Sequence, residues 1–174
     1  MNAIKQEMGI PAFQGMDLTT LKAVIAELRE TILPSRFEKA QQPDANTLQI
    51  GLRNLKSLIW IEISWDPEAP RIVQINSPLN TGRESTLAKQ IQYGLQKMAL
   101  VEIKQEGFER VIEFCLSRRP GEEVRKSLII EIMGRHSNFL LLDHHRKVIT
   151  IGRQIRKNQS RIRPISTGDI YTQP

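Results

Sequence analysis

The sequence has little of several things. It holds one cysteine, Cys115, so no intrachain disulfide and no Cys-based zinc site can form. Its longest uninterrupted apolar runs, Leu58 to Ile61 and Phe139 to Leu142 among them, are four residues each, against roughly 20 for a membrane-spanning helix. Aromatics are sparse at 5%, and the 10 Gly and 9 Pro form no low-complexity tract. Disordered, collagenous and coiled-coil classes are thereby excluded. No GxSxG, P-loop, GxGxxG or HExxH pattern occurs, so nothing in the residues names a reaction. Residues Met1 to Gly15 carry Lys5 but no apolar core, which predicts neither a secretory signal nor, with Glu7 and few Arg and Ser, a transit peptide. A single thiol fits a reducing compartment.

What remains is a 174-residue globular chain, long enough to bury roughly 70% of the surface its unfolded form exposes. It is basic, with 25 Lys and Arg against 19 Asp and Glu. Between Asp143 and Pro164, Arg146, Lys147, Arg153, Arg156, Lys157, Arg161 and Arg163 face Asp143 alone, a surplus equal to the whole net charge of +6. Such a segment concentrates polyanions, and each phosphate it neutralises releases counterions. A solvated face with no partner is the plainer alternative.

The first strong pattern, Leu18, Leu21, Ile25, Leu28 and Ile32, puts five aliphatics on one helical stripe, with Asp17 as cap and Pro34 as stop. The period then changes to two. Strands are predicted over 36–42, 47–53, 57–65 and 71–75, and again over 100–105, 111–118, 126–133, 138–143 and 148–156. Between the groups, Leu87, Ile91, Leu95 and Met98 mark a second, short helix with Ser85 near its start. The sum is an α+β domain built on an antiparallel β-sandwich flanked by two helices. The tail from Ile162, with Pro164, Gly168 and Pro174, reads as extended coil and linker.

Two stretches concentrate polar residues at strand ends. In Glu131-Ile132-Met133-Gly134-Arg135-His136-Ser137-Asn138 a glycine opens a polar loop, a site or a satisfied turn. Glu109 and Arg110 follow Gly107-Phe108 in another turn. The Arg fork suits a phosphate and the carboxylate can orient it, although a surface ion pair has the same appearance. Asp143-His144-His145 reads as a hairpin turn, because consecutive side chains diverge and no further ligand supports a metal. Cys115 reads as a packed small hydrophobe in mid-strand.

The chain resembles the NFACT N-terminal domain, also called the fibronectin-binding protein A N-terminal family. Six features carry the resemblance: Asp17 with its Leu-rich helix, Gln41-Gln42-Pro43-Asp44, Pro70-Arg71-Ile72, Gly107-Phe108-Glu109-Arg110, the Glu131 to Asn138 stretch and Ser160-Arg161-Ile162-Arg163-Pro164. It implies a fold like the N-terminal domain of formamidopyrimidine-DNA glycosylases. It also implies a module, over 17–164, of a longer ribosome quality-control factor, with 1–16 an extension and 165–174 the start of a linker. That family binds large ribosomal subunits obstructed by peptidyl-tRNA and recruits tRNA to extend stalled chains without mRNA. The implied setting is cytoplasmic, or an organelle if the source is a plant. On the resemblance, tRNA contacts fall on Asp17, Glu109, Arg110, Arg135, His136 and Asn138. Ribosome or tRNA contacts fall on Glu131, Ile132, Met133, Arg161 and Arg163. No catalytic residue, metal, cofactor, membrane or small-molecule substrate is implied. The family usually has Asp where Glu109 stands, which moves the carboxylate out by about 1.5 Å.

Two alternatives follow from names and fold. A glycosylase or abasic-site lyase would need a proline amine at the mature N-terminus followed by Glu; the chain begins Met1-Asn2, and Pro11 is followed by Ala12. An extracellular adhesin would need a secretion signal, an anchor or disulfides, and none is legible.

Overall fold

The computed structural model describes residues 16–78, 85–154 and 163–174. Helix α1 spans Leu18–Ile32 and begins where Asp17 accepts a hydrogen bond from the Thr20 amide at 2.7 Å, satisfying one of the free N–H groups of the first turn. Its stripe of Leu21, Ile25, Leu28 and Ile32 is fully buried. Four strands follow: β1 (Ser35–Asp44), β2 (Thr47–Arg53), β3 (Leu58–Ser64) and β4 (Arg71–Ile75). Helix α2 spans Thr86–Leu95, capped by Ser85 on the Ala88 amide. Five more strands follow among the described residues: β5 (Ala99–Lys104), β6 (Val111–Ser117), β7 (Val124–Glu131), β8 (Asn138–Asp143) and β9 (Val148–Ile151).

All nine strands pair antiparallel in one continuous sheet of order β4-β3-β2-β1-β5-β6-β7-β8-β9. Among the described residues the expected α+β class, nine strands and two helices are therefore present. What the strands form is a single nine-stranded sheet, not shown to be a sandwich. Its continuity rests on one junction. Two meanders, β1 to β4 and β5 to β9, join where Ser35 pairs with Leu100 and Arg36 with Ala99. Such a long-range pairing leaves no mark on local periodicity.

Most of β6, β7 and β8 is apolar on both faces because two cores cover these strands. The larger core includes both helices with Leu128, Ile130, Phe139 and Leu141; the smaller takes the alternate residues Ile129, Leu140 and Leu142, with Val111, Val148, Ile165 and Tyr171. β9 ends at Ile151, short of the predicted Arg156, and Gly152 follows in a tight place. A Cβ there would lie 2.8 Å from the Trp65 ring, which itself stacks on Phe139 at 5.5 Å. Residues read as a coil tail, Ile165 and Tyr171, are buried, and Ile170 bridges Lys147. Among the described residues no helix is long and apolar enough to cross a membrane.

Candidate nucleic-acid interface

Antiparallel order brings the end of β5, the start of β6, the end of β7 and the start of β8 to one end of the sheet, and the N-terminus of α1 meets them there. Arg110 ties these pieces together. Its side chain donates to the Met16 carbonyl at 3.2 Å, and its own carbonyl accepts from the Ile132 amide at 2.9 Å. The exposed Asp17 carboxyl is held below its usual range by the Thr20 hydrogen bonds first, with the nearby Arg110 charge adding to them. Glu109 is exposed beside it.

The β7–β8 loop is a built turn. Gly134 takes φ +56°, a conformation open to glycine, and residues Gly134–His136 form one turn of 3-10 helix. Ser137 Oγ accepts from the Met133 amide at 2.8 Å and donates to the Gly134 carbonyl at 2.7 Å. This leaves Arg135 and His136 exposed at the tip, with Arg135 Nε 3.4 Å from His136 Nε2. Asn138 is completely buried. Its Oδ1 accepts from the Phe139 and Arg153 amides, and its Nδ2 donates to the Arg153 carbonyl at 2.7 Å. Ile132 is likewise buried and Met133 half-buried, so the loop's flanks are packing and its tip is surface.

Glu131 is placed inside. It is 1% exposed, and Arg163 grips both its oxygens, at 2.9 and 2.8 Å, while the Tyr171 hydroxyl donates to Oε2 at 2.7 Å. Arg163 Nε donates to the Thr172 carbonyl at 2.8 Å, and its guanidinium lies 5.2 Å from the Tyr171 ring centre. The Tyr171 hydroxyl is pushed up by burial and by the Glu131 charge. This geometry turns the Arg163 guanidinium onto Glu131 and Tyr171. Arg161, Arg156 and Lys157 lie outside the described residues.

Features that periodicity did not single out lie beside this end. An open cleft of about 640 Å³ runs from Lys104 and Phe108 past Glu109, Val111 and Ile129 to Arg146 and Tyr171. In it, Glu113 is pushed up by burial but pulled further down by hydrogen bonds from Arg146 at 2.8 Å and Ser127 at 2.9 Å, leaving its carboxyl below the usual range. Phe108 stands exposed on the loop tip with the Lys22 ammonium 5.9 Å from its ring centre. Only its place in the Gly-Phe-Glu-Arg stretch marked it in the sequence. Cys115 is buried, and its thiol is pushed up to about 12 by that burial and by Glu113. Asp143 Oδ1 accepts from the His145 and Lys147 amides, the hairpin turn expected there. Among the described residues no cluster of His, Cys, Asp and Glu could hold a metal.

Against known proteins, residues 17–174 match the NFACT N-terminal and middle domains. The chain is 28% identical over 158 residues to the Rqc2 homolog RqcH of Streptococcus pneumoniae, covering 88% of this chain and 29% of that protein. To the Rqc2 homolog RqcH of Bacillus subtilis it is 26% identical over 152 residues, covering 85% and 27%. It thus spans under a third of the curated relatives it matches. Its fold is similar to the N-terminal domain of fibronectin-binding protein PavA from Streptococcus pneumoniae, with TM-score 0.82 and 26% identity over 91% of this chain and 62% of that one. The N-terminal part of the fibronectin/fibrinogen-binding protein from Streptococcus suis gives TM-score 0.80 at 26% identity, over 88% and 59%.

Proposed function

Because the chain belongs to the NFACT N-terminal family, we propose that it is the tRNA-binding and ribosome-binding module of a ribosome quality-control factor. It does no chemistry of its own. It docks on a large subunit obstructed by peptidyl-tRNA and helps to recruit the tRNA that extends the stalled chain without mRNA. The observation that carries this reading is the convergence on Arg110. Segments far apart in sequence, ending in Met16-Asp17, Glu109-Arg110 and Ile132 to His136, are tied into one sheet end by its two hydrogen bonds.

The roles divide by exposure. Asp17, Glu109, Arg110, Arg135 and His136 offer charge and hydrogen-bonding groups to a polyanion, and the Arg fork suits a phosphate or a base edge. Met133 flanks them. Glu131, Ile132, Asn138 and Arg163 hold the loop in shape from within, and Arg161 belongs to the basic segment that draws RNA in. With few exposed aromatics, recognition rests mainly on backbone and shape. The test is binding of tRNA, and co-sedimentation of the longer parent protein with large ribosomal subunits, across a salt series. Affinity falling steeply with salt supports the reading; salt-independent affinity, or none, contradicts it.

A further inference from the structure

Phe108 is 90% exposed, an unusual placement for a phenylalanine, and the loop around it is built to keep it there. Gly107 supplies a φ of +59°. The Gln105 side-chain amide reaches the carbonyls of Glu106, Gly107 and Glu109 at 3.3, 3.1 and 2.9 Å, and the Glu109 amide closes on the Glu106 carbonyl at 3.4 Å. A loop fastened through three of its own carbonyls presents its tip without having to order on binding. Resting on the tRNA-binding reading above, we propose that Phe108 is a stacking platform for one unpaired nucleobase, with Lys22 placed for the adjoining phosphate.

The surroundings select a base over an apolar protein partner. A protein contact of hydrophobic type needs a contiguous apolar patch. Phe108 instead stands between the exposed Glu106 and Glu109, with the Lys22 ammonium 5.9 Å from its ring centre. Among the described residues, the other exposed large apolar side chains, Leu55, Tyr93, Val124, Ile149 and Ile170, sit on other elements. Set apart from the other described apolar side chains and with a cation beside its ring, Phe108 matches the combination of π-face and phosphate that single-stranded nucleic acid offers. The open cleft starting at Phe108 and continuing past Lys104 gives a splayed base room beside the ring.

The experiment titrates the 174-residue chain with unfractionated deacylated tRNA, comparing wild type, Phe108→Ala and Phe108→Trp. Loss of the ring should weaken binding about 5- to 150-fold, with the salt slope and melting temperature unchanged, because no phosphate contact and no buried surface is removed. Phe108→Trp should bind at least as well as wild type. Its exposed indole, distinct from the buried Trp60 and Trp65, should be quenched by tRNA and left bright by inorganic polyphosphate, which has no bases. Wild-type affinity in Phe108→Ala, or equal quenching by polyphosphate, overturns the stacking role while the module reading stands. A wild-type chain that binds no tRNA overturns both.

Discussion

Arg163 and Glu131, far apart in sequence, meet through two parallel hydrogen bonds in a nearly dry pocket, with Tyr171 adding a third to the same carboxylate. This clasp fastens residues 163–174 across the end of β7. Removing one partner of such a pair strands the other charge in the interior, which costs about 3–5 kcal/mol. Arg163→Ala is therefore expected to lower stability by that amount in urea unfolding. Arg163→Lys, which keeps the charge but loses the fork, should fall between. A loss under 1 kcal/mol would show the clasp to be weak.

Asn138 plays a comparable part at the start of β8, where one side chain serves two amides and a carbonyl. Asn138→Ala leaves those groups without partners and should cost about 2–3 kcal/mol. The Arg153 amide should then exchange its hydrogen markedly faster. Unchanged exchange would mean that another group takes Asn138's place.

At the exposed tip the expectation reverses. Arg135→Ala should leave the melting temperature unchanged yet reduce the salt slope of tRNA binding by up to about 0.7 to 0.9, the signature of one lost phosphate contact. Arg161→Ala should do the same if the basic segment touches RNA. A slope identical to wild type would make each a solvated charge.

The Cys115 thiol is pushed up to about 12 by burial, above the ordinary value near 9. A pKa raised on folding favours the protonated form, so its contribution to stability is complete below about pH 9 and fades as pH climbs towards 12. At pH 8 the native chain should resist iodoacetamide, and alkylation should appear only in denaturant. Rapid labelling of folded protein would contradict this burial.

The helix caps and strand positions were legible because each rests on neighbours in sequence: Asp17 lies three residues from its amide partner, and the alternation in 47–53 and the short apolar run in 138–143 are local. The candidate loops were also legible, since glycines and polar clusters interrupt apolar strands. What the residues could not reveal is direction. Glu131, Asn138 and Arg163 carry the same charged and polar groups as Arg135 and His136. Only the pairing of β7 with β8, and the return of residues 163–174, turns the first three inward. The single sheet was hidden for the same reason, as it depends on the short contact between Ser35-Arg36 and Ala99-Leu100.

The central claim is that the sheet end organised by Arg110 grips tRNA, and the direct measurement is tRNA affinity of a Glu109→Ala, Arg110→Ala double variant set beside its melting temperature. Glu109 is exposed, and among the described residues Arg110 makes one side-chain hydrogen bond, to Met16, so the cost in stability should be about 1 kcal/mol or less. The loss in affinity should be about 1 to 3 kcal/mol, roughly 5- to 150-fold. A well-folded variant that binds tRNA as tightly as wild type would contradict the account.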